Sequence, residues 1–394
     1  MAVCRSASVT SWSNWGLGLF VVLLAATSLA ADADGVTNYV DQAAASKPLA
    51  AVLSPARWQQ VEDGVDRALV WLATQQAADG SFPTLTAGQP AVTSLCVLAF
   101  LSRGHQPGVG PHGQRLSRAI DYVMACQKPS GLIALQPNDP RDPEETAQYA
   151  AVYNHAISGV MLAESYGQVT GQRAKAAKQV IERALQFSRQ LQLRPKSPMD
   201  KGGWRYTRND TSEDSDLSVT GWQLMFLRSA KNAEFDVPEV YVEEAIAYVH
   251  RCWQPSGGSF HYKPFDVKAS RGMAGAGILS LSLAGEHQSP MARAAGDWLL
   301  AHPYRRFGEL IGRGDQFFYS AYYCSQAMAQ LGGRYWEQFF PPLANVLLNS
   351  QDAAGSWPLE VDQGGEAVFG KAYTTAMAVL SLTPPYQLLP VYQR

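Results

Sequence analysis

The stretch Gln351-Asp352-Ala353-Ala354-Gly355-Ser356-Trp357 decides how this chain is read, because its spaced glutamine, glycine and aromatic recur along the sequence. Gln76 stands with Gly80, Ser81 and Phe82; Gln127 with Gly131 and Ile133; Gln254 with Gly258, Ser259 and Phe260. Gly202-Gly203-Trp204 is a looser copy and Arg306-Phe307-Gly308 a degenerate one. Six units about 50 residues apart, with an insertion before the third, are the mark of a stacked or closed array of supersecondary units.

Each copy sits between two helical patterns of different kind. Ahead of it apolar residues recur at helical spacing on one side only: Val61, Val65, Leu69 and Leu72; Leu116, Ile120 and Val123; Val180, Ala184, Phe187 and Leu191; Val242, Ile246 and Val249. Behind it run segments that are small or apolar on most faces: Val92 to Leu101, Tyr153 to Tyr166, Leu217 to Ala230, Met273 to Ala284, Ser320 to Leu331 and Tyr373 to Leu382. The first kind suits a helix with one wet face, the second a helix buried all round. The glycine is expected where the first helix stops, since it accepts the left-handed conformation. The glutamine is expected to reach the free N–H groups that open a neighbouring helix, and the aromatic to wedge between hairpins. Six hairpins with one-sided helices outside and apolar ones inside leave no open end if they close, which predicts an all-α (α/α)6 toroid over residues 55 to 385.

Composition narrows the function. Of 394 residues 46% are hydrophobic and 17% charged, so the chain can bury a large core and disorder is excluded. Lys+Arg number 32 against 34 Asp+Glu, with no basic run, which leaves no footprint for a nucleic-acid backbone. Trp15 to Ala31 form an apolar run behind Arg5 that ends in small residues, the pattern of a secretory signal. The competing reading is an uncleaved tether, because the run is shorter than the roughly 20 residues of a spanning helix. The expected layout is therefore a signal at 1–31, a linker at 32–54 and one toroid at 55–394, in a periplasmic or secreted protein. Cys96, Cys126, Cys252 and Cys324 lie far apart with no CxxC, and read as small buried hydrophobes. None of the seven histidines has HxH or HExxH spacing, so no metal and no cofactor is implied.

The Gln-x-x-x-Gly-x-Trp/Phe series resembles the QW repeats of the squalene-hopene cyclase and terpene cyclase superfamily, which is similar in turn to protein prenyltransferase β-subunits. The resemblance covers nearly all of the chain after its first apolar run. It implies the toroid and, because this fold is reused for unrelated tasks, says less about activity. Cyclases of this kind protonate an alkene with the third-position aspartate of an Asp-x-Asp-Asp motif. Asp214-Ser215-Asp216-Leu217 stands in the corresponding place, with Asp216 matching the acid, Asp214 the first position, and Leu217 in place of the last carboxylate. The Asp-x-Cys of the prenyltransferase zinc site and the Gly-Cys-Gly-Glu-Gln of the complement thioester domains do not occur.

In a closed ring the starts of the inner helices converge on one end of the central hollow, which is where a pocket belongs. The candidates there are Thr93, Tyr153, His155, Asp214, Asp216, Trp222, Arg271, Tyr322, Tyr323 and Tyr373. Asp216 reads either as a general acid or as an N-cap, with Asp214 tuning it or favouring the helix dipole. His155 is read as a residue that positions a carboxylate, or as a satisfied core histidine. Arg271 is read as a rim cation or as a partner of helix-end carbonyls. The aromatics embrace an apolar ligand, stabilise a carbocation, or pack between helices. The partner is thus expected to be an apolar or isoprenoid small molecule, or a protein. A sugar-cleaving enzyme on the same scaffold requires facing carboxylates, and the only close pair visible, Asp214 and Asp216, comes from one segment. Pro137 to Glu145 reads as a charged rim loop, and Thr383 to Tyr392 as a seal over the ring.

Overall fold

The computed structural model describes residues 48–135, 145–207, 214–312, 315–360 and 366–393, with the side chains of 145–149 and 366 left aside. The expected signal, most of the linker and most of the rim loop after Pro137 lie outside the described residues.

Six hairpins pair the outer helices α1 (Pro55–Gln75), α3 (Gly113–Ala125), α5 (Gly171–Gln192), α7 (Glu239–Arg251), α9 (Pro290–Ala301) and α11 (Gly333–Ser350) with inner helices. The inner ones are α2 (Ala91–Ser102), α4 (Glu145–Tyr166), α6 (Leu217–Asn232), α8 (Arg271–Leu283), α10 (Phe317–Leu331) and α12 (Gly370–Leu382). Each inner helix packs against the next, α12 packs back against α2, and α1 lies beside α11, so the ring closes. The fold is an (α/α)6 toroid. None of the helices described is long and apolar enough to cross a membrane.

Local chemistry makes the two layers. Ser54 caps α1 by accepting the Arg57 N–H, Pro55 follows where its missing donor costs nothing, and Val61, Val65, Ala68, Leu69 and Leu72 form its buried stripe. In α2 every residue from Ala91 to Ser102 is buried, with no polar face at all. The free thiols of Cys96, Cys126, Cys252 and Cys324 are buried among these layers, and burial pushes the Cys126 thiol up to about 11.

The turns between layers correct two expectations. Helix α1 stops at Gln75, so Gly80 reverses the chain beyond the helix end. The glutamine side chains meet carbonyls, which only accept, so each amide nitrogen donates. Gln76 Nε2 donates to Gly80 O at 3.0 Å and to Arg115 O of α3 at 2.9 Å, and Gln127 Nε2 to Gly131 O at 3.2 Å and Val180 O of α5 at 2.7 Å. Gln192 does the same for Gly202 O and Tyr241 O, so the looser third copy has its glutamine ten residues upstream of the glycine. Gln351 Nε2 donates to Gly355 O at 2.9 Å and to Gly64 O at 2.8 Å, tying the last outer helix to the first. The glycines let each turn lie flush on the next outer helix. Gly202 has φ 90, and a Cβ there would stand 2.0 Å from Glu244 O. The turn at Gly258 is different: a short hairpin pairs β1 (Trp253–Gln254) with β2 (Ser259–Phe260), and nothing approaches the glycine within 4 Å.

The chain end seals the ring where the inner helices finish. Gln330 Nε2 donates to Tyr392 O at 2.6 Å, Asn232 Nδ2 to Pro390 O at 2.9 Å, and the Val391 N–H to the Glu164 carboxylate at 3.3 Å. Burial pushes the Glu164 carboxyl from 4.5 up to about 7. The folded state then keeps a proton that the unfolded chain releases first, so stability falls as pH rises from 4.5 to about 7 and levels off above. The loss is expected to reach about 3 kcal/mol. Urea denaturation across that range should show this slope in the wild type and a flatter profile in Glu164→Gln.

Candidate functional site

At the opposite end, where the inner helices begin, the ring encloses a cavity of about 480 Å³. All six inner helices line it, five of them near their starts and α4 further in, through Ala150, Tyr153, Asn154 and Ile157. Ala91, Val92 and Leu95 of α2 with Met377 of α12 make an apolar wall, to which Phe369 adds a ring. Tyr153 of α4 and Ser218 and Trp222 of α6 face them, joined by Tyr206 and Tyr262 from the loops. Asp266 is the one carboxylate and Lys268 the one cation among the described residues that line it.

Behind the hydroxyl-bearing wall lies Asp216, 0% exposed. It caps α6: one carboxylate oxygen accepts the Val219 N–H at 2.8 Å and the Ser218 O–H at 2.8 Å. The other accepts the Tyr262 O–H at 3.0 Å, with Arg205 Nε 3.5 Å away. Tyr206 and Tyr262 hydroxyls bond at 2.9 Å, and Tyr153 bonds Ser218. Burial raises the proton affinity of Asp216, and the Val219 N–H, the Ser218 hydroxyl, Arg205 and Tyr262 oppose that rise. The carboxylate is therefore a cap and also the hub of a hydroxyl network, one side chain removed from the cavity.

The other candidates separate. Tyr153, Trp222 and Tyr373 line the cavity. Trp222 stacks on Tyr322 at 5.3 Å and meets Tyr323 edge-on, so those two tyrosines support the cavity's wall without lining it. The Tyr322 hydroxyl bonds Tyr392 of the sealing segment. Asp214, half-buried, acts electrostatically on Arg194 and Lys196. Arg271 is fully buried, away from the rim: it pairs with Asp315 at 2.7 Å, donates to Glu309 O and lies 4.1 Å over the Tyr304 ring.

His155 belongs to the turn geometry. The backbone N–H of Phe82, Trp204 and Trp357 each donates to a threonine of the following inner helix, Thr93, Thr220 and Thr375, at 3.0 to 3.1 Å. At the second turn Ile133 N–H donates to His155 Nδ1 at 3.2 Å instead, and Nε2 bonds Ser188 at 2.9 Å. Both ring nitrogens are thus engaged away from Asp216, and burial pulls the imidazole pKa down to about 3. The helix starts at Glu145, so His155 stands well inside α4 rather than at its opening.

Sequence reasoning passed over Ser218, Tyr206 and Tyr262. A signal existed: Tyr206 and Tyr262 each stand two residues after a motif aromatic, Trp204 and Phe260, and in extended backbone such residues share a side.

No protein-family model and no curated protein matches the chain. Solved structures do. A variant of the type II terpene cyclase MstE from Scytonema, in complex with its substrate geranylgeranyl dihydroxybenzoate, superposes with TM-score 0.55 at 14% identity over 86% of this chain and 100% of that one. A glycosidase does so with TM-score 0.56 at 12% identity over 86% and 100%. An inactive variant of an α-1,6-mannanase of Salegentibacter in complex with α-1,6-mannotriose reaches 0.57 at 12% identity over 83% and 99%. These likenesses define the class of protein by its fold, the (α/α)6 toroid that terpene cyclases and glycosidases share.

Proposed function

We propose that this is an exported, squalene-cyclase-like toroid with QW-type turns, and that its cavity holds an apolar, isoprenoid-like molecule. The observation that carries this reading is the lining: aliphatic and aromatic side chains from all six inner helices around about 480 Å³. That size falls within the roughly 300 to 1,000 Å³ of small-molecule sites. The sugar-cleaving reading is weaker, because Asp266 stands without a second carboxylate among the described lining residues. The substrate of the Scytonema cyclase, geranylgeranyl dihydroxybenzoate, likewise carries an isoprenoid chain. Filling the cavity tests the proposal. Leu95→Trp and Met377→Trp should each weaken binding of geranylgeraniol or squalene, measured by calorimetry, by at least about tenfold. Unchanged affinity in both variants counts against the cavity as the binding site.

A catalytic extension of this reading makes Asp216 a general acid. It is supported by a buried carboxylate of raised proton affinity that, among the described residues, reaches the cavity through Ser218 and Tyr262. Incubating the protein with squalene and shorter polyprenes, followed by product analysis, should give cyclised product that Asp216→Asn abolishes. Equal product from both ends the general-acid role.

A further inference from the structure

The hydroxyls on one wall of the cavity are ordered by the charge behind them. Ser218 has a single proton, and it goes to Asp216. The Tyr153 hydroxyl, bonded to that same serine oxygen, must therefore be the donor of its own bond. Likewise Tyr262 spends its proton on Asp216, so Tyr206 donates to Tyr262. In the charged form, which Arg205 at 3.5 Å favours, every hydrogen of the network runs inward to the carboxylate. A proton on the oxygen facing Tyr262 would reverse only the Tyr262 and Tyr206 bonds and leave Ser218 and Tyr153 donating as before. What the wall presents to the cavity is acceptor oxygen, at Tyr153 above all, whose O–H is committed and whose lone pairs are not consumed by donating.

A second observation concerns the same wall. Trp222, one turn along α6 from Ser218 and on the same face, lines the cavity with its ring, while its indole N–H is itself buried and offers no surface to a ligand. The wall opposite is aliphatic from Val92 and Leu95 to Met377, with Tyr373 one turn from Met377 on α12.

Taking the apolar-ligand reading above as given, we infer that the ligand carries one uncharged hydroxyl that donates to Tyr153, while its hydrocarbon body lies along α2 and α12. A hydroxyl is the small uncharged group that supplies such a donor. A diphosphate head is disfavoured, since Lys268 is the one cation among the described lining residues and Asp216 puts negative charge behind the wall.

The test is a binding series by calorimetry with geranylgeraniol, its methyl ether, the corresponding aldehyde and the diphosphate. Wild type should bind the alcohol about tenfold more tightly than the ether, as expected for one net hydrogen bond. Tyr153→Phe should erase that preference and leave ether affinity unchanged. Ser218→Ala frees the Tyr153 proton to turn outward, and should raise affinity for the aldehyde relative to the alcohol. Circular dichroism melts confirm that both variants fold. Equal affinity for alcohol and ether in wild type, or a preference that survives Tyr153→Phe, overturns the hydroxyl assignment and leaves the apolar cavity standing. Tightest binding of the diphosphate also overturns it. If none of the four binds, the apolar-ligand reading falls together with this one.

Discussion

Replacing Gly202 by alanine is expected to destabilise the protein by about 3 to 5 kcal/mol, combining a left-handed backbone penalty with overpacking. Its φ of 90 is one that side chains rarely adopt, and the new methyl would stand 2.0 Å from Glu244 O and 2.6 Å from Glu244 C, both backbone atoms of α7. Backbone cannot swing aside as a side chain does. The turn would have to lift off α7 and take with it the bonds from Gln192 to Gly202 O and Tyr241 O. Gly258→Ala is the internal control, because its φ of 61 is also left-handed while nothing lies within 4 Å. It should cost about 1 to 2 kcal/mol, the conformational part alone. Urea midpoints of the two variants measure the difference. Equal losses would show that the flush contact between turn and neighbouring helix contributes nothing.

Asp315→Ala is expected to cost about 3 to 5 kcal/mol, the penalty for leaving a buried charge uncompensated. Asp315 binds Arg271 through Nε at 2.9 Å and the terminal nitrogen at 2.7 Å, and accepts the backbone N–H of Arg271 and of Ile311. Arg271 and Asp315 are both 0% exposed at the side chain, so water cannot take the lost partner's place. The pair ties the start of α8 to the approach of α10, and both helices border the cavity mouth. Ligand affinity should therefore fall along with stability. The double variant Arg271→Met with Asp315→Leu should recover part of the stability, since an apolar pair of similar volume needs no charge to balance while the backbone N–H groups of Arg271 and Ile311 still lose their acceptor. A single variant losing under about 1 kcal/mol would mean that the pair is dispensable.

The mouth of the cavity was legible to the extent that it depends on helix starts. Tyr153, Trp222 and Tyr373 were placed there because each stands near the beginning of an apolar segment. The same rule put Tyr322, Tyr323 and Arg271 there as well, and the structure turns these toward neighbouring helices instead. Start position says how deep a residue lies in the ring, and nothing about which way it faces. His155 shows the same gap: beside Tyr153 in the chain, it faces the Ile133 turn and holds it as Thr93, Thr220 and Thr375 hold the others. Aligning the inner helices on those threonines would have placed the histidine correctly.

The amino-acid sequence alone determined the hairpins, their number and their layering, because those depend on local features: a one-sided apolar stripe, a glycine that admits positive φ, and a following segment with no wet face. Tertiary structure decided everything that depends on rotation about the inner helix axes. A segment buried on every side, such as Ala91 to Ser102, has no polar stripe to mark its orientation. Only packing against two neighbours selects which turn meets the cavity. By the same route, ring closure through Gln351 and Gly64, and the gathering of Ser218, Tyr153, Tyr206 and Tyr262 around Asp216, join residues far apart in the chain whose meeting no local pattern encodes.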